Sequence, residues 1–273
     1  MRCWQSMPDT YTHGHQESVL RSHRWRTAEN SARYLLGELS PGLDLLDLGC
    51  GPATLTVDLA ARVAPGRVLG IEVDDAIVAT ARATVAEAKA PNVSIEVGDA
   101  YALGLADKSF DVVHAHQVLQ HLVDPVAALR EARRVLRPGG LLAVRDSDYA
   151  SFCWAPTDPW LDRWMELYHQ VTHHNGAEAD AGRWLPTWVA TAGFDDVRTS
   201  SSTWTFASPD ERAWWGGLWA DRARESSFAR QAVEYGYATD DELTAIADAF
   251  RRWSLDPSGL FVVLHVEVLA RSS

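Results

Sequence analysis

Residues 45–60 read LLDLGCGPATLTVDLA. An apolar, strand-like run passes through a turn of small residues into a helix-like run, the arrangement that cradles a nucleotide. A strand-to-helix turn needs glycine where the backbone takes positive φ, or where a Cβ would meet the ligand. Gly49 and Gly51 supply those places. The dinucleotide fingerprint G-x-G-x-x-G requires a third glycine at position 54, which is Thr54 here, so the close helix approach to a pyrophosphate is missing.

Outward from this loop, residues 43 to 146 alternate short apolar runs with longer amphipathic ones, the mark of βαβ units and a parallel sheet. Strands are expected at 43–48, 67–73, 92–97, 110–115 and 141–146, and helices near 54–64, 74–89 and 125–136. Pro138, Gly139 and Gly140 read as the stop of that last helix. Beyond 146 the composition changes, since ten of the twelve tryptophans lie there and helical patterns such as DPWLDRWMELYHQV (158–171) interrupt the alternation. A helix near 182–192 and strands near 197–206 and 260–270 return the chain to the sheet. The expected division is an N-terminal helical lid over 1–40, a nucleotide-binding core over 41–149, and the rest of the sheet over 150–273 with helical cap insertions at about 150–181 and 208–258.

Composition bounds the partners. The chain has 273 residues, 47% of them hydrophobic, and a formal net charge of −12, so its mean surface potential repels phosphate backbones. Cys3, Cys50 and Cys153 are odd in number and lack C-x-x-C spacing, which fits a reducing cytoplasm and neither a disulfide framework nor a thiolate metal site. No apolar run approaches the roughly 20 residues of a membrane span, and MRCWQSMPDTYTHGH has no signal-peptide pattern.

The loop resembles the first motif of the class I S-adenosylmethionine-dependent methyltransferases, an acidic residue followed by G-x-G-x-G, here Asp47, Gly49, Gly51 and Ala53. Ala53 departs from the pattern and is expected to leave the cofactor slightly less room. VGDAYALGLADKSFDVVHA (97–115), FDVVHAHQVLQHLVDP (110–125) and RVLRPGGLLAV (134–144) extend the likeness, which is nearest the ubiquinone and menaquinone biosynthesis branch and covers roughly 43–146. It implies a Rossmann-like α/β fold, a seven-stranded mostly parallel sheet with an antiparallel C-terminal hairpin. It implies an enzyme that uses S-adenosyl-L-methionine and methylates O, N or C of a small, partly apolar or aromatic metabolite. Cofactor contacts are expected from Asp47, Gly49, Cys50, Gly51, Glu72, Val73, Asp99, Ala100, His116 and Gln117. Glu72 would accept both ribose hydroxyls, and Asp99 the adenine amino group. The N-terminal YTHGHQESVLRSHRWRTAEN (11–30) resembles a lid, with Tyr11 facing the sulfonium and Arg24 or Arg26 the methionine carboxylate.

Methyl transfer requires exclusion of water, collinear positioning and, for some acceptors, removal of a proton. Candidate bases are His116, His121, His169 and His173, with His13, His15 and His174 behind them. Asp146, Asp148 and Tyr149, just past the fifth strand, are candidates for polar acceptor contacts, with Asp148 equally suited to capping a helix. Trp164, Trp188 and Trp215 stand for the tryptophans that would line an aromatic site, against the plainer expectation that such residues fill the cap core. A metal held by the N-terminal and cap histidines is not expected, for want of a carboxylate-histidine motif. The expected protein is a cytoplasmic monomer or homodimer with no nucleic-acid partner and no membrane insertion. Three rivals remain: a protein that binds the cofactor without transferring methyl, as a cyclase or regulatory module; a nicotinamide oxidoreductase; and an RNA methyltransferase. The missing N/D-P-P-Y/F after the fourth strand weighs against the last.

Overall fold

The computed structural model describes residues 9–14 and 16–272. Cys3 and His15 lie outside them. Three short helices come first, α1 (Glu17–Arg24), α2 (Ala28–Ser31) and α3 (Arg33–Leu36), followed by β1 (Leu45–Leu48), α4 (Thr54–Val63), β2 (Val68–Glu72), α5 (Asp75–Ala88), β3 (Val93–Val97), β4 (Phe110–His116), α6 (Pro125–Val135) and β5 (Leu136–Ser147). The second half contributes β6 (Cys153–Ala155), α7 (Pro159–His174), α8 (Ala181–Thr191), β7 (Asp195–Phe206), α9 (Pro209–Glu225), α10 (Ser227–Glu234), α11 (Asp240–Leu255) and β8 (Leu260–Arg271).

β1 to β5 are parallel in the order β3-β2-β1-β4-β5, and β8 runs antiparallel between β5 and β7. The expected seven strands and C-terminal antiparallel pair are therefore present. An eighth, β6, pairs with the first residues of β8 and was not read from the sequence, because CWA is too short to show alternation.

Each residue of β1 is buried, as a central parallel strand requires. Leu45 faces the layer of α4, α2 and α3, with Leu59, Val63 and Leu35, while Leu46 and Leu48 face α6 and α8, with Leu129, Ala132, Leu185 and Val189. The central strands are thus covered on both sides, while β3 and most of β7 are exposed. The strand order reverses between the parallel strands β1 and β4, where Leu48 pairs with Ala115, so the loops after these strands open into one crevice.

Two local expectations are corrected. Pro138, Gly139 and Gly140 do not stop a helix: α6 ends at Val135, Leu136 already pairs with Phe110, and pairing resumes at Val112–Leu141. Residues 137–140 form a bulge, fastened where Gly139 N donates to Ser272 O (2.6 Å) and Ser272 N to Gly140 O (2.9 Å). Nor does Ala53 narrow the cofactor space. Its methyl is fully buried among Cys50, Val78, Ala81 and Ile95, beneath the loop. What glycine would relieve is the backbone, since Ala53 has φ +63° as N-cap of α4, a conformation that costs an L-residue about 1–2 kcal/mol.

The cap is an aromatic core of its own. α7, α9 and α11 bring Trp164, Trp219 and Phe250 into contact, with ring centroids 4.6 Å apart for Trp164–Trp219 and 5.2 Å for Trp164–Phe250. α1 is fastened to α9 by the Arg21–Asp221 ion pair (2.9 Å) and by Arg222 Nη2, which donates to Ser22 Oγ and to the carbonyls of Ser18 and Val19.

Candidate active site

A cavity of about 750 Å³ opens over the carboxyl ends of β1, β2 and β4. Its floor is the loop 49–54. Gly49 (φ +63°) and Gly51 (φ +53°) hold left-handed backbone there, and a Cβ on Gly49 would come within 2.5 Å of Val118 Cγ2. Glu72, at the end of β2, accepts hydrogen bonds from Gly51 N (3.1 Å) and Val73 N (2.8 Å), so its carboxylate is pinned at the cavity edge with lone pairs to spare. Asp47 is committed inward, accepting from Thr56 Oγ1 (2.6 Å) and lying 2.7 Å from His114 Nδ1. Thr54, the residue that breaks the dinucleotide pattern, lines the cavity and donates to His23 O (3.1 Å).

The N-terminal segment forms the roof. Tyr101 Oη donates to Asp9 Oδ1 (3.1 Å), which also accepts from Val123 N (2.9 Å), closing the rim near Asp99 and Ala100. Arg26 donates to Gln117 Oε1, and Gln117 in turn donates to Ser147 Oγ (2.7 Å) and His265 Nε2 (2.8 Å). Gln117 has φ +55°, uncommon for a residue with a side chain, so its position is fixed at some cost in backbone strain. Burial brings Arg26 down to about 10 and pushes the Tyr11 hydroxyl up to about 12.

Behind this roof lies a second, smaller chamber of about 30 Å³, room for roughly two water molecules. It shares Tyr11, His23, Arg26, Gln117 and His121 with the cavity and is completed by cap residues that include Tyr149, Trp215, Trp219 and Arg222. His13 sits in its wall, with Nε2 2.9 Å from Tyr168 Oη and 3.3 Å from Tyr149 Oη, while Nδ1 has no partner among the described residues. His121 Nε2 lies 3.0 Å from the Gln120 side-chain amide nitrogen, whose carbonyl is taken by Ser147 N, so that nitrogen donates and the His121 proton resides on Nδ1. Burial, then the charge of Arg26, brings His121 down to about 3, and burial likewise holds His13 and His116 well below the usual imidazole range. All three rings are neutral at pH 7.

Of the residues named from the sequence for the cofactor, Tyr11, Arg26, Asp47, Gly49, Cys50, Gly51, Glu72, Val73, Asp99, Ala100, His116 and Gln117 line the cavity, joined by His121. Arg24 does not, since it pairs with Glu17 on the exposed face of α1 (2.7 Å). Of the acceptor candidates, Tyr149 and Trp215 line the chamber. Trp164 is sealed in the cap core, and Trp188 packs from α8 against the sheet. Asp148 is not an acceptor contact, and it makes no side-chain cap bond to the helical turn 149–151 that follows it; its carboxylate is taken by Arg183, accepting from Arg183 N (3.1 Å) and from the guanidinium. Asp146 is buried beneath Gln120, whose amide it accepts (3.1 Å). Burial raises its carboxyl to about 8.

His169 and His173 are also displaced from both spaces. His169 bridges Met165 O (2.8 Å) and Asp180 (2.9 Å), and His173 is exposed on α7. His174 stacks on Tyr235 at 3.7 Å. Among the described residues no group of three or more His, Cys, Asp or Glu converges as metal ligands would. Sequence reasoning did not single out His23, Gln120, Ser147, Trp204 or Arg222. The last four reach the site only through tertiary packing, and His23 carried no motif.

A glycine-turned loop at the topological switch point, a pinned carboxylate ending the second strand and a lidded cavity define a class, the α/β enzymes that hold an adenosine-bearing cofactor there. Comparison with known proteins places the chain within that class. A methyltransferase-domain family model matches residues 39–193. An uncharacterized methyltransferase of Schizosaccharomyces pombe is 32% identical over 268 residues, 95% of each chain. A demethylmenaquinone methyltransferase of Lactococcus lactis is 34% identical over 134 residues, 49% of this chain and 50% of that one. Among solved structures, the [4+2]-cyclase SpnF superposes with a TM-score of 0.54 at 23% identity, over 97% of this chain and 88% of that one. The chain belongs to the S-adenosylmethionine-dependent methyltransferases.

The residues present fit that cofactor. The cavity lies within the 300–1,000 Å³ range of small-ligand sites. A pinned carboxylate suits a ribose diol, the glycine loop leaves space a Cβ would fill, and Arg26 offers a cation to a carboxylate.

Proposed function

We propose that the protein methylates O, N or C of a small, partly apolar or aromatic metabolite, bound in the chamber behind the cofactor cavity. The observation that carries this reading is the shared wall: Tyr11, His23, Arg26, Gln117 and His121 face both spaces, and the far side of the chamber is aromatic. A polymer cannot enter a chamber enclosed by α1, α9 and the sheet, and the charge of −12 gives nucleic acid no attraction.

Glu72 would hold the ribose hydroxyls, Asp99 and Ala100 the adenine edge, and Arg26, braced by Gln117, the methionine carboxylate. The cofactor supplies an electrophilic methyl group when bound. The chain's own residues position and desolvate. Residues 9–14 and 16–36 act as a lid: placed as they are here they leave room for about two waters, so an aromatic acceptor is held with that wall standing further out. His121 Nδ1–H is a donor toward the shared wall, and His13, held through Nε2, keeps Nδ1 free to take a proton from an acceptor hydroxyl. His116 stacks beneath the cofactor space, its ring 6.5 Å from that of His114.

The division into a lid, a nucleotide-binding core and a capped second half follows the same logic. No helix among the described residues is long and apolar enough to cross a membrane, and Cys50 and Cys153 are free thiols. The free thiols suit a reducing cytoplasm, where we place the protein. The test is to incubate the protein with S-adenosylmethionine and a panel of phenols, carboxylic acids and amines, and to quantify S-adenosylhomocysteine and methylated product by mass spectrometry. Product from at least one small acceptor is expected. Cofactor binding with no turnover of any acceptor would instead favour a protein that uses the fold without transferring methyl.

A further inference from the structure

The chamber wall contains two guanidinium groups and no carboxylate. Arg26 is one. The other, Arg222, is only 5% exposed and has no acidic partner among the described residues. Its Nη2 donates to Ser18 O, Val19 O and Ser22 Oγ, its Nε has no partner, and its guanidinium lies 5.1 Å from the centre of the Trp219 ring. Of the other two buried arginines among the described residues, Arg145 pairs with Glu267 at 3.4 Å, and Arg212 donates to Ala207 O at the start of α9, away from the chamber. A cation taken out of water without a counter-ion is costly, and native proteins keep one where a ligand completes the pair.

We infer that the acceptor is a flat anion, an aromatic carboxylate or an ionised phenol, whose oxyanion rests against Arg222 and whose ring packs among Trp215, Trp219 and Phe152. This deepens the proposed function and rests on its assignment of the chamber to the acceptor. The division of labour between the arginines follows from their neighbours. Arg26 lines both spaces and is braced by Gln117, whereas Arg222 lines only the chamber. The other groups agree with an anionic occupant. His13 and His121 are neutral and present no competing charge. The tyrosine hydroxyls of residues 11 and 149 can donate, and burial keeps them from ionising. A protonated amine would be repelled by both arginines. The buried carboxyl of Asp146 accepts from Gln120 N and is not part of the chamber wall.

The experiment is calorimetric titration of the full chain, saturated with S-adenosylhomocysteine, using salicylate and its neutral counterpart salicylamide. Salicylate is expected to bind at least tenfold more tightly. In R222M that preference should fall below threefold, and in R222K it should persist. Because Arg222 also fastens α1, S22A is measured alongside: it removes the one side-chain bond among the three that fasten α1, keeps the guanidinium, and should retain the preference. Equal affinities for the two probes, binding of neither, or a preference that survives R222M would overturn the inference. S-adenosylhomocysteine binding in the same cell reports separately on the cofactor site. Anion preference without turnover of any acceptor would sink the methyl-transfer reading and leave this one standing.

Discussion

Replacing Glu72 by alanine should cost most of the adenosyl-ligand affinity and little stability. The carboxylate is held by two backbone amides, Gly51 N at 3.1 Å and Val73 N at 2.8 Å, which leaves one lone pair on each oxygen directed to the cavity. Hydrogen bonds to a charged group contribute roughly 1.5–3 kcal/mol each, and the site is partly solvated, so the lower end applies to each of two ribose hydroxyls. The sum is about 3 kcal/mol, a weakening of roughly 150-fold in Kd. Val73 is 71% exposed, so water replaces the lost acceptor there and the melting temperature should move little. E72Q is a sharper version. Its amide nitrogen must face one of two N–H donors, so one loop amide loses its acceptor while the side-chain volume is kept, and a loss of about tenfold is expected. Calorimetric titration with S-adenosylhomocysteine measures both, with E96Q on the exposed part of β3 as control. An E72A protein that is folded and binds within threefold of the parent would refute the reasoning.

G49A places a Cβ 2.5 Å from Val118 Cγ2 in left-handed backbone and should weaken S-adenosylhomocysteine binding at least tenfold while lowering stability by about 1–2 kcal/mol; unchanged affinity would contradict the loop's assignment. W164A should destabilise the fold by about 3–5 kcal/mol, seen in denaturant melts, yet leave cofactor affinity within threefold, because Trp164 belongs to the cap core. H169A and H173A should each retain turnover within twofold of the parent once an acceptor is found, and a hundredfold loss in either would restore it as a candidate base. Stability should peak near pH 6.5. His13, His23, His116, His121 and His265 are buried with pKa values below the unfolded 6.5, so the unfolded chain takes up protons first and stability falls with acidity by roughly 1 kcal/mol per group and pH unit. Asp146, raised from 3.8 to about 8, acts oppositely and stabilises most at low pH, that contribution being lost as pH rises through 8. Five groups outweigh one below pH 6.5, so a melting temperature higher at pH 5 than at pH 6.5 would show the imidazoles are not held neutral.

The cofactor side of this molecule was legible because its chemistry is local. Asp47, Gly49, Gly51, Glu72 and Asp99 each sit at the end of a strand whose apolar run announces it, and the strand order carries them to one crevice. Arg26 was readable only as one of two arginines, since the sequence gives no sign that Arg24 turns outward to Glu17. The acceptor side was not legible in the same way. Arg222 looks like any charged position of an amphipathic helix until α1 is laid across α9. Trp164 and Trp215 are chemically identical in sequence, and only tertiary packing puts one in the core and the other at the chamber. Ala53 misled for a related reason: motif spacing reports that a small residue is needed and not whether a Cβ points at the ligand or away from it.

The most direct test of the central claim is a crystal structure of the protein with S-adenosylhomocysteine. The account expects the adenosyl group over loop 49–54, both ribose hydroxyls on Glu72, and the carboxylate on Arg26 with Gln117 still bracing it. A ligand bound elsewhere, or one whose ribose faces away from Glu72, would contradict it.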